Sequence, residues 1–468
     1  MTEAGGAAVT GAAAARCWIG LDLGTSGCRA LAIDAEGVAI AAAKTALHAA
    51  TAQASAPATA KARAPAAATA AATARNAERS SDAVEQDPQA WWSAVIEVLG
   101  ALSAELNGHR PQALCVDGTS ATLLLCTPEG EPLAPALMYN DTRAREQARL
   151  IAERAPADSP ARGPSASLAK LLWLRQELQL QPHPPVLALH QADWIGGRLR
   201  AHFGDSDWNN ALKLGFDPHR LAWPNWLTEI DLNPVHLPHC QAPGADLGTI
   251  DPVVATATGL PATLRIRAGT TDSTAATLAA GARAPGDAVS SLGSTLVLKL
   301  VSEQPVCEAA SGIYSHRIGQ LWLVGGASNS GGAVLRQHFS DAELERLSQR
   351  IDPTQPTGLD YYPLPRRGER FPIADPQRVP HIEPRPADDS LFLAGLFEGI
   401  ARIEQAGYQR LCALGAPAPT RILSTGGGAR NATWNAIRSR ILGLEVESAP
   451  QQEAAYGAAL LARGDWSK

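Results

Sequence analysis

The sequence predicts an α/β protein with two similar domains facing a central cleft, and three observations carry that expectation. At 468 residues the chain is longer than one hydrophobic core organises. Short apolar β-forming runs that end in polar, glycine-bearing turns alternate with segments of helical period. One motif, a hairpin whose turn is made of glycine, serine and threonine, occurs near the start and again past the middle.

Bulk composition narrows the classes. The formal net charge is −6, with no block of like charges, which excludes the basic footprint of a nucleic-acid binder. Seven cysteines (17, 28, 115, 126, 240, 307 and 412) show no CxxC spacing and read as buried thiols of a reducing, cytoplasmic compartment. No apolar run is long enough to span a membrane. Residues 1–16 are Ala-rich, carry Glu3 and lack a basic stretch, so they read as a disordered extension and not a secretory signal. Residues 49–77 are almost wholly Ala, Thr and Pro, and cannot bury enough surface to offset ordering entropy; they read as a floppy insertion in the first domain. The expected domains are 17–250 and 251–468, hinged within 246–261, which is rich in Gly, Pro and Asp.

Taken in order, residues 19–34, IGLDLGTSGCRALAID, form the first hairpin, with Gly24, Thr25, Ser26 and Gly27 as its turn. Glycines there permit positive φ and close ligand approach, and three or four free N–H groups beside two hydroxyls suit a phosphate. EQDPQAWWSAVIEVLGALSAEL opens a helix at Asp87-Pro88. ALCVDGTSATLLLC echoes the opening motif, its strand ending in Asp117, Gly118, Thr119 and Ser120. A second cycle is expected from about Pro261: RIRAGTTDSTAATLAAG is a strand entering Gly269-Thr270-Thr271-Asp272 and then a helix. GDAVSSLGSTLVLKLV is the second hairpin, turning at Gly293, Ser294 and Thr295. LWLVGGASNSGGAVLRQHF and RILSTGGGARNATWNAIRSRIL each read as strand, glycine turn and helix. Ligands of such folds bind outside the carboxyl ends of the strands.

Phosphoryl transfer to an alcohol needs backbone N–H groups around phosphates, a metal near them and a carboxylate that accepts the hydroxyl proton. Asp22 and Asp272 both end apolar strands, one assigned to each domain. A closing cleft would join them, one managing the metal and one the hydroxyl. The two glycine hairpins would contact the phosphate chain from opposite sides. The three glycines of STGGGARN before a helix allow a flat or anionic ligand to approach. Alternatively each glycine cluster is a plain turn and each Asp a helix cap. The eleven histidines show no metal-ligand spacing, and no G-x-S-x-G elbow has a convincing Asp and His downstream. Most tryptophans read as packing; Trp208, beside Asp207, Asn209 and Asn210, stands apart.

This order of motifs resembles the FGGY carbohydrate kinases of the actin/hexokinase/heat-shock-chaperone ATPase superfamily, over residues 18–463 apart from the insertion. DLGTSGCRA looks like the first phosphate loop, SASLAKLLWL the K-[apolar]-x-W signature, GTTDSTAA the catalytic-base segment, LGST the second phosphate loop and STGGGARN the adenosine segment. The resemblance implies two duplicated actin-like, ribonuclease-H-like domains, the first binding sugar and the second nucleotide, with ATP and Mg²⁺ as cofactors. It implies Asp272 as general base on the sugar hydroxyl, near its ordinary pKa, and Asp22 as the metal-organising carboxylate. Gly24, Thr25, Ser26 and Gly27 would cradle the γ-phosphate, Gly293, Ser294 and Thr295 the β-phosphate side, and Gly427, Gly428 and Asn431 would line the adenosine pocket. Ser120, Asp117 and Asn140 are expected sugar contacts, with a supporting polar turn as their alternative. The expected partner is a small-molecule sugar, with neither nucleic acid nor membrane, bound by a monomer or homodimer.

At the place where xylulokinases carry Gly-Gln-Met-His-Gly, this chain reads VDGTSATLLLC, and LMYNDTRA keeps Asn140, Asp141 and Arg143 while losing the usual Trp. DSDWNNALKLGFDP, CQAPGADLG, GGASNSGGAVLR and QQEAAYGAALLA look like the D-ribulose kinase (plant and cyanobacterial, xylulokinase-like) branch. The resemblance thus implies D-ribulose converted to D-ribulose 5-phosphate. Another ketose or polyol kinase, or a non-catalytic sensor on the same fold, are the alternatives; a sensor would be expected to lose Asp22 or Asp272, and both remain.

Overall fold

The computed structural model describes residues 15–47 and 83–466. The insertion at 49–77 and residues 1–14 of the expected extension lie outside them. Arg16, assigned to that extension, is instead the first residue of a strand.

Two six-stranded sheets form the frame. The first contains β1 (Arg16–Leu23), β2 (Gly27–Ile33), β3 (Ala39–Ala46), β4 (Arg110–Gly118), β5 (Asp246–Thr249) and β6 (Arg265–Thr271), in the order β5-β6-β4-β1-β2-β3. The second contains β7 (Asp287–Leu292), β8 (Leu296–Ser302), β9 (Tyr314–Ile318), β10 (Leu321–Ser328), β11 (Arg421–Thr425) and β12 (Val446–Ser448), in the order β9-β10-β8-β7-β11-β12. Each sheet begins with an antiparallel hairpin and continues with strands parallel to the first strand of that hairpin: β4 on β1 and β11 on β7, then β6 on β4 and β12 on β11. The expected duplication is therefore present in the topology.

The expected boundary needs correction. β6 pairs in parallel with β4, so the strand read as opening the second cycle completes the first sheet. The segment 246–261 holds β5 and a helix, Pro252–Thr258, capped by Asp251, whose Val254 and Ala255 join the first core. The second unit begins at β7. Strand, glycine turn and helix recur at both ends of a repeat, and the pattern does not say which sheet a strand joins.

Alternation places Cys17, Ile19, Leu21 and Leu23 of β1 in a core with α1 (Pro88–Ala104), which starts at the expected Asp87 cap. Each such buried aliphatic chain stabilises by about 1.5–3 kcal/mol. In the second sheet Leu296, Leu298 and Leu300 face α5 (Asp389–Ala413), whereas Val297 and Lys299 face the other domain. Between β6 and β7 runs α3 (Asp272–Ala279); α2 (Ser167–Glu177) lies on the first domain, and α4 (Gly332–Arg336) and α6 (Ala432–Leu442) on the second.

The last described helix, α7 (Ala454–Arg463), crosses back onto the first sheet. A Cβ at Gly20 would lie 1.8 Å from the Ala455 carbonyl oxygen, and one at Gly457 would lie 1.8 Å from that of Ala275. Glycine at both positions lets the backbones touch. Tyr456 Oη donates to the Gly37 carbonyl at 2.8 Å and Arg463 Nη1 to Ala35 at 3.0 Å, which pins α7 to the first hairpin.

Candidate functional site

Three carboxylates stand at the carboxyl ends of three adjacent parallel strands. Asp22 on β1 is in register with Asp117 on β4, Asp117 is in register with Thr270 on β6, and Asp272 follows as the first residue of α3. Asp22 and Asp272 are partly exposed, whereas Asp117 is fully buried and neither of its oxygens has a hydrogen-bond partner. Burial raises all three carboxyl groups above the usual range. Asp117 goes furthest because Asp22 and Asp272 add their charges. Asp272 is pushed up to about 6, mainly by burial, while the Ser273 N–H at 2.6 Å pulls it back. The expectation of an ordinary pKa at Asp272 is thus not met.

The first turn closes as expected, but with its own amide: Gly24 N–H donates to the Gly27 carbonyl at 3.0 Å and is not free for a phosphate. Thr25 and Ser26 are exposed at its tip, and Gln86 Nε2 fixes the Thr25 carbonyl at 2.8 Å. Gly27 serves packing, since a Cβ there would lie 2.7 Å from the Thr45 carbonyl oxygen. The second turn matches it: Gly293 N–H donates to Thr295 at 3.1 Å, and the amides of Gly332 and Ala333, opening α4, brace the carbonyls of Gly293 and Ser294.

Gly293, Ser294, Gly427, Gly428 and Asn431 line one cavity of about 830 Å³. Leu335, Leu344 and the stacked pair Phe397–Trp434 supply its apolar wall, with Arg336 and Arg430 at its edge. A cavity of this size, apolar at one end and bordered by the second turn at the other, fits a nucleotide. Gly427 has open space where a Cβ would point, whereas a Cβ at Gly428 would meet Trp434 and Leu292 within 2.8 Å. Asn431 is committed as the cap of α6, accepting from Trp434 N–H and donating to Ser348 Oγ, so it shapes this wall through its backbone and fixed amide. Thr295, Gly24, Thr25, Ser26 and Gly27 lie outside this cavity. Beneath it, Arg438 and Glu404, both fully buried, pair at 2.7 Å and hold Ser424 on β11 and Ser290 on β7.

For the metal, no group of three or more His, Cys, Asp and Glu side chains among the described residues converges on one point. Mg²⁺ in phosphoryl-transfer sites takes one or two carboxylates with phosphates and water, and Asp22, partly exposed beside the first turn, fits that role.

The expected sugar contacts divide. Ser120 is half-buried at the end of β4 near Asp117; Asn140 is exposed on a separate loop. Lys170, from the K-[apolar]-x-W signature, joins these two loops from behind: its fully buried ammonium donates to the carbonyls of Ala121 at 2.8 Å and Met138 at 2.6 Å. Burial lowers its pKa to about 7. Ala121 has φ +65, a left-handed conformation that costs a residue with a Cβ about 1–2 kcal/mol. Trp208 carries the Arg317 guanidinium 5.1 Å from its ring centroid and so serves the domain interface. Asn209 spans that interface, donating to Thr270 Oγ1 and the Arg317 carbonyl and accepting from Arg317 N–H. Asp207, pushed up to about 8 by burial, accepts from the amides of Asn209 and Asn210.

The sequence reading placed Lys170 in the K-[apolar]-x-W signature and Asn209 beside Trp208 without giving either a role, and it missed Lys213 and Lys299, which line a cavity between the domains. The signal of the lysines was weak, because a cation inside an apolar strand or helix is informative only once its burial is known. Ser167, His190 and Asp193 hydrogen-bond in series at 2.9 Å, as in a hydrolase triad. Ser167 and His190 are fully buried, and the series anchors α2 against the strand Val186–His190.

The two-domain architecture is the actin-like ATPase fold. Models of the FGGY family of carbohydrate kinases match residues 60–279 (N-terminal domain) and 288–463 (C-terminal domain), and the chain belongs to that family. The xylulose kinase of Escherichia coli (strain K12) is 24% identical over 471 residues, 95% of this chain and 89% of that protein. That of Streptomyces coelicolor is 27% identical over 402 residues, 81% of this chain and 79% of that protein. The crystal structure of a xyloylose kinase from Brucella ovis superposes with a TM-score of 0.81 at 23% identity, over 97% of this chain and 91% of that one. The chain is therefore a carbohydrate kinase acting on a small-molecule sugar with ATP.

Proposed function

We propose that the chain transfers the γ-phosphoryl group of ATP to the terminal hydroxyl of a ketopentose, D-ribulose, giving D-ribulose 5-phosphate. The observation that carries the reading is the row of Asp22, Asp117 and Asp272 at the ends of parallel strands, with Ser273, next to Asp272, lining a cavity of about 400 Å³ taken as the acceptor cleft, and with the second glycine turn lining a separate cavity of nucleotide size. Asp272 accepts the proton of the acceptor hydroxyl as it attacks phosphorus; a carboxylate near pKa 6 is largely ionised at neutral pH and more basic than an exposed one. The Thr25 and Ser26 hydroxyls and the second turn steady the phosphate chain. Asp22 would hold Mg²⁺, which when bound neutralises charge on the transferring phosphoryl group. Asn209, bonded to both domains, favours the closed cleft that excludes water.

D-ribulose is preferred because residues 205–218 resemble the D-ribulose branch, while residues 116–126 depart from the Gly-Gln-Met-His-Gly pattern of xylulokinases. The names of the relatives favour a second acceptor, xylulose. ATP consumption against D-ribulose, L-ribulose, D-xylulose, L-xylulose, ribitol, glycerol and no sugar decides. Highest kcat/KM with D-ribulose supports the proposal, another preferred sugar keeps the mechanism and replaces the substrate, and sugar-independent or absent turnover overturns both.

A further inference from the structure

We infer that the acceptor cleft carries an oxyanion subsite, formed by Lys213, Lys299 and the Tyr314 hydroxyl beside Asp272, which takes the carboxylate or phosphate group of a small polyhydroxy ligand. The inference rests on the acceptor reading above in assigning this cleft to a sugar.

The subsite lies in a cavity of about 400 Å³ between the domains, which shares no lining residue with the nucleotide cavity. Lys213 and Ser273 come from the first domain, Lys299 and Tyr314 from the second. Register builds the second wall: Lys299 on β8, Gly325 on β10 and Tyr314 on β9 are paired in one row across three strands. A Cβ at Gly325 would sit 2.8 Å from Lys299 Cδ, so glycine leaves room for the lysine to lie across β10 towards Tyr314. The two ammonium groups stand 5.1 Å (Lys213) and 5.6 Å (Lys299) from the centroid of the Tyr314 ring.

The two lysines outnumber the carboxylate that acts on them, Asp272. Lys299 is 7% exposed, yet its hydrogen-bond partner is His316 Nδ1 at 3.1 Å, on an imidazole that burial holds well below its usual pKa and therefore neutral. Neither Lys213 nor Lys299 forms an ion pair with a carboxylate among the described residues. Arg162 and Arg370 add positive charge at the rim, against Asp158. Burying a cation is costly; burial lowers the pKa of Lys299, and Asp272 offsets this only in part. An anion in the cavity would remove that cost. The hydroxyls of Ser159, Ser165 and Ser273 on its walls suit a polyol chain.

The test is calorimetric titration of the full chain, its nucleotide site filled with magnesium and a non-hydrolysable ATP analogue, with D-gluconate and with inorganic phosphate. Binding of either, weakened at least tenfold in Lys213→Met and in Tyr314→Phe, is expected. Lys213→Met alters a half-buried position and Tyr314→Phe keeps the ring, so the outcome does not depend on a Lys299 variant folding. Absence of binding by both anions, binding abolished by the nucleotide analogue, or affinities unchanged in both variants would overturn the inference. Phosphorylation of D-gluconate assigns the anion to the acceptor; phosphate binding without that turnover assigns it to a separate phosphate group. Failure of D-ribulose turnover alone removes the substrate reading above and leaves the subsite standing.

Discussion

Asp22 and Asp117 face each other in register across the parallel strands β1 and β4, and Asp117 has neither solvent nor a hydrogen-bond partner of its own. A carboxyl group raised by burial and by like charge stabilises the fold in its protonated form. That contribution is complete below the unfolded-state pKa, near 4, and is lost as pH rises towards the elevated folded value. Asp117→Asn keeps the shape and removes the ionisation. Its Tm is expected to fall less than that of the unaltered chain between pH 5 and pH 8; an equal fall in calorimetry would show that Asp117 is not so raised.

Asp272 gives the activity its acid limb. Its base form is lost as pH drops through about 6, so kcat/KM for the sugar should fall about tenfold per unit below that point. Asp272→Ala should lower kcat by about 100- to 10,000-fold while the Kd for ATP stays within about threefold, as read by steady-state kinetics and nucleotide titration. Loss of both in a folded variant would remove the role.

Lys170 touches neither cavity, so its effect is indirect. Lys170→Met leaves the carbonyls of Ala121 and Met138 buried without donors, at about 1–3 kcal/mol each. The loops of Ser120 and Asn140 should loosen, raising the sugar KM more than the ATP KM. Equal changes in the two constants would argue for general destabilisation.

Arg438→Met should act on the other side. It strands Glu404 in the core and frees Ser424, for a loss of about 3–5 kcal/mol. Both strands that end in nucleotide-cavity turns are held by this pair, so the ATP KM should rise while the sugar KM moves little. Denaturant unfolding and paired kinetics check it.

What was legible in the sequence was local. Both hairpins, the Asp87 cap, the strand–turn–helix units and the positions of Asp22, Asp272 and Gly427 depend on neighbours within a few residues. Sheet membership was not legible, because the pairing of β6 with β4 joins segments some 150 residues apart, and the domain boundary was misplaced accordingly. Local pattern also overstated the phosphate-binding capacity of the first turn, whose Gly24 amide the turn itself consumes. The pKa of Asp272 and the row Lys299–Gly325–Tyr314 arise only from register and burial.

The return of α7 onto the first sheet sets the order in which this protein can mature. Tyr456 and the Gly37 carbonyl it binds are 419 residues apart in the chain, so a ribosome makes the strand of Asp22 long before the helix that covers Gly20. Until then the back of that strand faces solvent, open to chaperones and to other nascent chains. The two halves cannot ripen one after the other as beads on a string: the first waits for the last helix of the second. A release that is late, or a break near residue 450, would leave an incomplete first half for quality control to remove.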